Sequence, residues 1–273
     1  MLLTRHETPE GGAQWALDNR LLPPQLGLEL LLQMPRANLA DFVRALPRGA
    51  APAGKLLAPI EPAQEVWACG VTYLRSREAR EAESSVKDVY ARVYEAKRPE
   101  VFWKSIGWRV VGHEQPIRVR ADSAWNVPEP ELTLVVNAHR EIVGFCVGNN
   151  VSSRDIEGEN PLYLPQAKVY NGSCALGPGI LLGDVERLKD LSIQLAIKRG
   201  GRIGFQGETR TAQIKRPLEE LVEYLAKELD FPRGAFLMTG TGVVPPTDFS
   251  MSPGDVVTIT IGALTLENRV AGA

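Results

Sequence analysis

Two apolar runs, residues 132–136 and 142–147, constrain the fold of this 273-residue chain more than any other part of it. Each run has the length of one buried strand, and the polar residues 137–140 lie between them. A short polar connection between two apolar runs is typical of a β-hairpin. The sequence therefore predicts a buried antiparallel hairpin.

Two carboxylates, Glu129 and Glu131, stand directly before this hairpin on either side of Pro130. In an extended segment residues i and i+2 project to the same side, so the two carboxylates lie next to each other and repel. A hard divalent cation such as Mg²⁺ takes oxygen ligands and removes that repulsion. The alternative is an unrelated pair of acids on a solvated strand edge, because an E-x-E pair on its own is a weak motif.

A second group of polar residues follows the second apolar run. It consists of Asn149, Asn150, Arg154, Asp155, Glu157, Glu159 and Asn160, with Lys168 further along the chain. Charged and amide groups beside a buried strand are costly unless they have partners. A metal ion or an anionic substrate would supply those partners.

In this order, the motifs resemble the core of the fumarylacetoacetate hydrolase superfamily. That family runs E-x-E, a hairpin, N-D-x-[ST]-[AS]-R-D, a later lysine and Leu-Gly-Pro. This chain has Glu129-Pro130-Glu131, NNVSSRD at residues 149–155, Lys168 and LGP at residues 176–178. TGTGV at residues 239–243 is similar to the family's TGTPxGV loop, and residues 253–255 and 266–270 resemble its closing strands. The resemblance covers about residues 60–273.

The resemblance implies a strand-rich α+β fold with the mixed rolled β-sheets of the fumarylacetoacetate hydrolase C-terminal domain and a few helices outside. It also implies a homodimer. We expect residues 1–60 to form a small N-terminal region and residues 61–273 to form the catalytic domain.

For the metal site, the resemblance implies Glu129 and Glu131 as two of three ligands. The family's third ligand is the Asp of N-D, and this chain has Asn150 at that position. Asn150 can ligate only through its amide oxygen and adds no negative charge. We therefore expect Mg²⁺, or another divalent cation such as Mn²⁺ or Ca²⁺, to bind more weakly than with an Asp.

The family's lid segment carries N-Y-x-x-H, in which the histidine assists catalysis. Here the histidine position is Ser76, so that role cannot be carried over. Residues 72–81 fit two interpretations. They form either an exposed helix with Glu–Arg pairs at helical spacing, or a lid whose acid–base group is Glu78 or Glu81.

Four further kinds of contact are expected at the site. Lys104, in a stretch that resembles the family's F-x-K-P, either meets substrate or is an ordinary solvated lysine. Lys168 is a charge clamp or, if its pKa is lowered, a proton carrier. The glycines around Thr241 let backbone N–H groups approach a substrate carboxylate. Substrate hydroxyls are assigned to Arg154, Glu157 and Glu159.

Three functions remain open from the sequence. Residues 155–168 are similar to the branch that dehydrates 2-keto-3-deoxy-pentonates from D-arabinonate or D-xylonate breakdown to 2,5-dioxopentanoate, through a metal-stabilised enolate. The missing lid histidine also favours this dehydratase. The alternatives are a C–C bond hydrolase of a fumarylacetoacetate- or acylpyruvate-like diketo acid, and an inactive binding or structural member in which Asn150 weakens the metal site.

Length and composition agree with a soluble enzyme. The net charge of −2 gives no electrostatic case for nucleic acid or a membrane surface. No apolar stretch reaches the length of about 18 residues that a spanning helix needs, and the N-terminus lacks the apolar region of a signal peptide. Cys69, Cys146 and Cys174 are few and widely spaced, as in a cytoplasmic protein with reduced thiols. The resemblance implies a small 2-oxo acid as the partner.

Periodicity and turn residues predict the remaining elements. Helices are predicted over residues 13–22, 25–33, 39–46 and 217–229, and a helical face over Val86, Val89, Tyr90, Val93 and Tyr94. Strands are predicted over residues 66–71, 101–105, 179–183, 191–199, 236–238, 256–261 and 264–270, with a glycine-rich hairpin turn at residues 199–204.

Overall fold

A computed structural model of the chain describes residues 1–83 and 87–271. The strands are β1 (Leu2–Glu7), β2 (Ala13–Leu17), β3 (Arg20–Leu21), β4 (Leu56–Leu57), β5 (Glu65–Gly70), β6 (Glu100–Ile106), β7 (Ile117–Arg118), β8 (Asn126–Val127), β9 (Pro130–Val136), β10 (Ile142–Asn150), β11 (Ser152–Ser153), β12 (Cys174–Leu182), β13 (Ser192–Arg199), β14 (Arg202–Arg210), β15 (Ala235–Met238), β16 (Val256–Ile261) and β17 (Leu264–Ala271).

Helices are short and lie between the strands. They are α1 (Leu28–Leu31), α2 (Arg36–Ala45), α3 (Leu74–Glu83), α4 (Lys87–Glu95), α5 (Arg154–Glu159), α6 (Leu164–Lys168) and α7 (Leu218–Leu225), with 3-10 turns at Gly107–Arg109, Pro161–Tyr163, Val185–Leu188 and Thr211–Gln213. In the described part of the chain, no helix is long and apolar enough to cross a membrane.

The described strands form one large sheet, one smaller sheet and a two-stranded antiparallel pair of β8 and β11. The ten-stranded central sheet has the order β3-β2-β1-β12-β10-β9-β15-β5-β6, and β4 pairs with β1. The five-stranded sheet has the order β14-β13-β16-β17-β7. β15 pairs with β5 in parallel and with β9 antiparallel, so the central sheet is mixed. The predicted strand-rich α+β class with mixed sheets is confirmed.

The predicted hairpin forms the middle of the central sheet. β9 and β10 pair antiparallel with Leu132 opposite Val147 and Leu134 opposite Phe145. Both strands are buried along their whole length, as their continuous apolar sequences require. The side chain of Asn137 closes the turn, because its Oδ1 accepts from the backbone N–H of Glu141 at 2.8 Å.

Alternate residues of this hairpin enter two hydrophobic cores. Leu134 packs with the five-stranded sheet and with the apolar face of α7, which includes Leu221. Val135 packs on the other side with the N-terminal helices, where Leu31 and Val43 are buried. The central sheet is therefore covered on both faces, and polar side chains of the hairpin can gather only at its ends.

The N-terminal region differs from its prediction. Residues 13–22 form the hairpin of β2 and β3 instead of a helix, because Asp18 and Asn19 take φ angles of 46° and 64° in the connecting turn. β1 pairs with β12, so these strands extend the central sheet. The helix predicted at residues 25–33 is limited to Leu28–Leu31, and the one predicted at 39–46 begins earlier, at Arg36.

Elsewhere the predictions hold with two differences in length. The first is β12, which begins at Cys174 instead of residue 179. The strands predicted from residue 66 onwards and the hairpin turn at Gly200 and Gly201 are confirmed. The helix predicted over residues 217–229 ends at Leu225, because the chain turns to bury Phe231 against Trp67, which leaves Leu229 exposed. The face predicted from Val86 falls on α4, although Val86 itself lies outside the described residues.

Candidate active site

The site lies where the hairpin begins and ends. Because β9 and β10 are antiparallel, the start of β9 lies beside the end of β10, and Glu131 pairs with Gly148. The backbone N–H of Asn150 donates to the carbonyl of Glu129 at 3.0 Å. The strand pairing therefore brings the E-x-E carboxylates and Asn150 to one place, as the sequence predicted.

These residues open onto a cavity that several distant segments complete. Its walls are Cys69, Gly70, Val71, Ser76, Arg80, Glu100, Phe102, Glu129, Glu131, Asn150, Glu157, Leu164, Lys168, Gly240 and Thr241. Among the residues assigned from the sequence, Glu129, Glu131, Asn150, Glu157, Lys168 and Thr241 line it.

Glu131 is held by two donors. Its Oε1 accepts from Asn150 Nδ2 at 2.9 Å, and its Oε2 accepts from the backbone N–H of Gly240 at 2.5 Å. Gly240 has a φ of 91°, and a Cβ there would lie 2.0 Å from Thr72 Oγ1, so only glycine fits this close approach. Burial, followed by the neighbouring charge of Glu129, raises the pKa of Glu131 to about 8.

Glu129 contacts two cations. Lys168 Nζ donates to Glu129 Oε2 at 2.8 Å, and Arg154 Nη2 lies 2.9 Å from Glu129 Oε1. Lys168 Nζ also donates to Ser152 Oγ at 2.6 Å and lies 3.6 Å from Glu157 Oε2. Burial on its own would lower the pKa of Lys168, but Glu129 and Glu157 outweigh it and raise the pKa above its usual value. Lys168 is therefore an ammonium ion at neutral pH, which fits a charge clamp or a proton donor.

Four charged residues form a ring on one side of the cavity. Arg80 and Glu83 come from α3, and Arg154 and Glu157 come from α5. Arg80 Nη1 lies 2.9 Å from Glu83 and 3.4 Å from Glu157, while Arg154 Nη1 lies 3.6 Å from Glu83 and 3.4 Å from Glu157. Opposite charges alternate around the ring, so each buried charge has two partners and α3 is tied to α5.

The structure reveals a carboxylate that the sequence interpretation missed, Glu100 at the start of β6. It pairs with Gly70 of β5, and a Cβ at Gly70 would lie 1.8 Å from Glu100 Oε2. Burial, followed by the charge of Glu157, raises the pKa of Glu100 to about 7. Glu100 can therefore exchange a proton near neutral pH. One acid after Arg98-Pro99 gives no signal of its own in the sequence.

Other expected site residues lie outside this cavity wall. Glu78 is exposed, Glu81 pairs with Arg77 at 3.4 Å, and Glu159 is exposed. For residues 72–81 the structure shows a helix whose exposed face carries the Glu–Arg pair, and neither Glu78 nor Glu81 lines the cavity. α3 has an exposed, salt-bridged face, but its buried face places Ser76 and Arg80 in the cavity.

Lys104 is not a solvated lysine, and its side chain is fully buried. Its Nζ donates to the carbonyl of Val151 at 3.0 Å and to that of Lys168 at 2.5 Å. Burial lowers the pKa of Lys104 to about 7. Thr241 does line the cavity, and its Oγ1 donates to the carbonyl of Val243 at 3.2 Å.

The donor set fits a hard cation. Glu129 and Glu131 supply carboxylate oxygens, and the buried Oδ1 of Asn150 has no hydrogen-bond partner among residues 1–83 and 87–271. Each carboxylate oxygen retains a second lone pair beside its present donor. Over the same residues, no group of three or more His, Cys, Asp and Glu side chains is arranged to hold a metal. A cation here would therefore rely on two carboxylates and an amide oxygen.

The chain is similar in sequence to a known family and to two dehydratases. The family described as fumarylacetoacetate hydrolase C-terminal matches residues 65–271. A probable 2-keto-3-deoxyxylonate dehydratase of Haloferax volcanii is 49% identical over 210 residues, which cover 76% of this chain and 72% of that protein. The 2-dehydro-3-deoxy-D-arabinonate dehydratase of Saccharolobus solfataricus is 43% identical over 213 residues, covering 76% of this chain and 71% of that protein.

A solved structure is similar over the whole chain. It is 2-keto-3-deoxy-D-arabinonate dehydratase complexed with magnesium and 2,5-dioxopentanoate. It has a TM-score of 0.81 and 33% sequence identity, and the match covers 100% of this chain and 99% of that one. The matched region includes the hairpin, the carboxylates at its start and the ring of charges beside it.

Proposed function

Because the chain belongs to the fumarylacetoacetate hydrolase C-terminal family, we propose that it is a hydro-lyase that converts a 2-keto-3-deoxy-pentonate to 2,5-dioxopentanoate. One observation carries the proposal: a single cavity holds two carboxylates, the Asn150 amide oxygen, the ammonium of Lys168 and a carboxyl group that titrates near neutral pH. The relatives and the solved structure named above support the substrate class.

The metal site of the proposal uses Glu129, Glu131 and Asn150. A magnesium ion held by their oxygens would act as a Lewis acid that withdraws electron density from the 2-oxo group of the substrate. In the free protein Lys168 and Arg154 balance the charge of Glu129. Of these two cations Lys168 lines the cavity and can meet an anionic substrate, whereas Arg154 lies behind the cavity wall.

Loss of a hydroxyl that is β to a carbonyl needs a base at C3 and an acid at the C4 oxygen. Glu100 is our choice for the base, because its pKa of about 7 leaves part of the population ionised at neutral pH. Lys168 is our choice for the acid or charge clamp, because it keeps its proton there. Glu100 takes over the role that the sequence gave to Glu78 or Glu81, which do not line the cavity.

With Glu100 as the base and Lys168 as the acid, the bonds formed and broken in the dehydration balance. Glu100 removes a C3 proton, the electron pair forms the C3–C4 double bond, and the C4 hydroxyl leaves as water with a proton from Lys168. A proton shift from C5 to C3 and tautomerisation of the resulting enol give the C5 aldehyde. Arg80, whose Nη2 has no hydrogen-bond partner among the described residues, and Thr241 supply polar contacts to the substrate.

The test offers the purified protein a 2-keto-3-deoxy-pentonate with Mg²⁺ and follows an aldehyde-trapping assay for the semialdehyde. An acylpyruvate is offered in parallel, with release of pyruvate as the readout. Semialdehyde without pyruvate supports the dehydratase, and pyruvate alone supports the hydrolase. The Glu100→Gln variant is the matched control, because it keeps the side-chain size and removes the proposed base.

If neither product forms with Mg²⁺, Mn²⁺ or Ca²⁺, the proposal is wrong and the inactive binding member is the better description. Binding of 2,5-dioxopentanoate, measured by calorimetry, then shows whether the cavity still accepts the ligand class.

A further inference from the structure

We infer that Lys104 is a positioning residue that fixes Lys168 through the main chain and does not touch the substrate. The inference rests on the proposed function, because it concerns how Lys168 is held for its role there. It replaces the direct substrate contact that the sequence suggested for Lys104.

The hydrogen bonds of Lys104 form a closed ring with those of Lys168. Lys104 Nζ donates to the carbonyls of Val151 and Lys168, at 3.0 and 2.5 Å. Ser152 follows Val151 directly, and its Oγ accepts from Lys168 Nζ at 2.6 Å. The Lys104 amino group thus links the carbonyl of Lys168 to that of Val151. The next residue, Ser152, contacts the Nζ of the same Lys168 side chain. We call this set of contacts the Lys104 bridge.

Each contact of Ser152 is directional. Its hydroxyl donates to the carbonyl of Asn150 at 3.0 Å, which leaves its lone pairs for Lys168 Nζ. The carbonyl of Lys168 also accepts from Ser173 Oγ at 2.9 Å. The carbonyl at the C-terminus of α6 is therefore held by a cation and a hydroxyl, and the Lys168 side chain can reach Glu129 in only a narrow range of positions.

A positioning role explains why an amino group occupies this buried location. The Lys104 side chain has no accessible surface, and in the described part of the chain it forms no ion pair with a carboxylate. Burying an amino group without an ion pair is costly whether or not it is charged, and an apolar side chain would avoid that cost. The amino group instead donates to two carbonyls from separate segments, those of Val151 and Lys168.

The Lys104→Met variant tests the inference, because it keeps an unbranched side chain of similar size and removes every donor of the amino group. We expect kcat to fall by about tenfold or more, since small displacements of a catalytic group cost factors of this size, while KM stays within about twofold. Ser152→Ala opens the hydrogen-bonded ring at its other link. The double variant should lose less than the product of the two single losses, because both changes release the same side chain.

Asp255→Asn is the matched control for loss of a buried charge. Asp255 is buried and pairs with Arg199 away from the cavity, at 2.7 Å. This variant should lower the melting temperature and leave kcat unchanged. A Lys104→Met enzyme with unchanged kcat, or with raised KM and unchanged kcat, overturns the inference. The second result would restore a substrate contact.

A readout without catalysis separates this inference from the proposed function. In ¹⁵N-lysine NMR, the buried Lys168 ammonium gives a signal that the Lys168→Met variant identifies. We expect Lys104→Met to shift or broaden that signal and Asp255→Asn to leave it in place. An unchanged signal refutes the bridge even in a protein without dehydratase activity. If Lys104→Met does not fold, Lys104→Gln, which keeps a donor and removes the charge, takes its place with the same expected direction.

Discussion

Replacing Asn150 with Asp changes the metal site by one charge. In the wild type, Asn150 Nδ2 donates to Glu131 Oε1 at 2.9 Å. An aspartate would lose this bond and place two carboxylates side by side. Two unit charges about 4 Å apart repel by about 4 kcal/mol at an effective dielectric constant of about 20, which is an upper limit because the side chains can relax or share a proton.

Opposite effects on stability and on metal affinity follow from this repulsion. Without metal, we expect Asn150→Asp to be less stable than the wild type. With Mg²⁺ the third carboxylate becomes a ligand, so we expect the affinity for Mg²⁺ to rise by at least about tenfold, or about 1.4 kcal/mol. The melting temperature should therefore respond to Mg²⁺ more strongly in the variant than in the wild type.

Titration calorimetry with Mg²⁺ gives the affinities, and thermal melts with EDTA or with Mg²⁺ give the stabilities. Asn149→Asp is the control, because it adds the same buried charge one residue away, on the opposite side of β10. Magnesium should not recover the stability of that variant. Unchanged or weaker Mg²⁺ affinity in Asn150→Asp would remove Asn150 from the proposed ligands.

Three further changes test other parts of the site. Lys168→Met should reduce kcat by about a hundredfold or more. It should also lower the melting temperature, since it removes one of the cations that pair with the buried Glu129 and Glu157. Glu81→Gln, outside the cavity, should change neither. Glu100→Gln should abolish the rise of kcat/KM with pH near 7, because the raised pKa of Glu100 sets that rise. It should also flatten the loss of stability as the pH rises from about 4.5 to about 7, the range in which the folded state holds the Glu100 proton more tightly than the unfolded state. Gly240→Ala should cost about 2 kcal/mol or more in urea melts, because its Cβ would meet Thr72 Oγ1 at 2.0 Å and the φ of 91° is strained for alanine. An unaltered pH profile, or an alanine variant of normal stability, would contradict these assignments.

The centre of the fold and one half of the site could be predicted from the sequence. Hydrophobic runs specify β9 and β10, and antiparallel pairing then places Glu129, Glu131 and Asn150 together without further information. Family motifs supplied Lys168. The division into residues 1–60 and 61–273, the homodimer, the cytoplasmic location and the individual site roles stay predictions.

The other half of the site depends on distant segments. Glu100 and Arg80 reach the cavity from β6 and α3, and no local pattern distinguishes them from surface charges. Residues 72–81 carry Glu and Arg at every part of the helix, so periodicity could not show which face is buried. The turn at Asp18 and Asn19 was the available signal for the N-terminal hairpin, and the leucines around it gave the wrong preference for helix.

The pairing of β1 with β12 affects how the protein can be shortened. β12 lies between β1 and β10, and Leu3 of β1 pairs with Ile180. A fragment that starts at residue 61 would leave the β1 side of β12 as an open edge next to the strand that carries Asn150, with unpaired N–H and C=O groups and apolar side chains. Such a fragment should self-associate through that edge. By pairing with β12, the first strand therefore protects the sheet from aggregation.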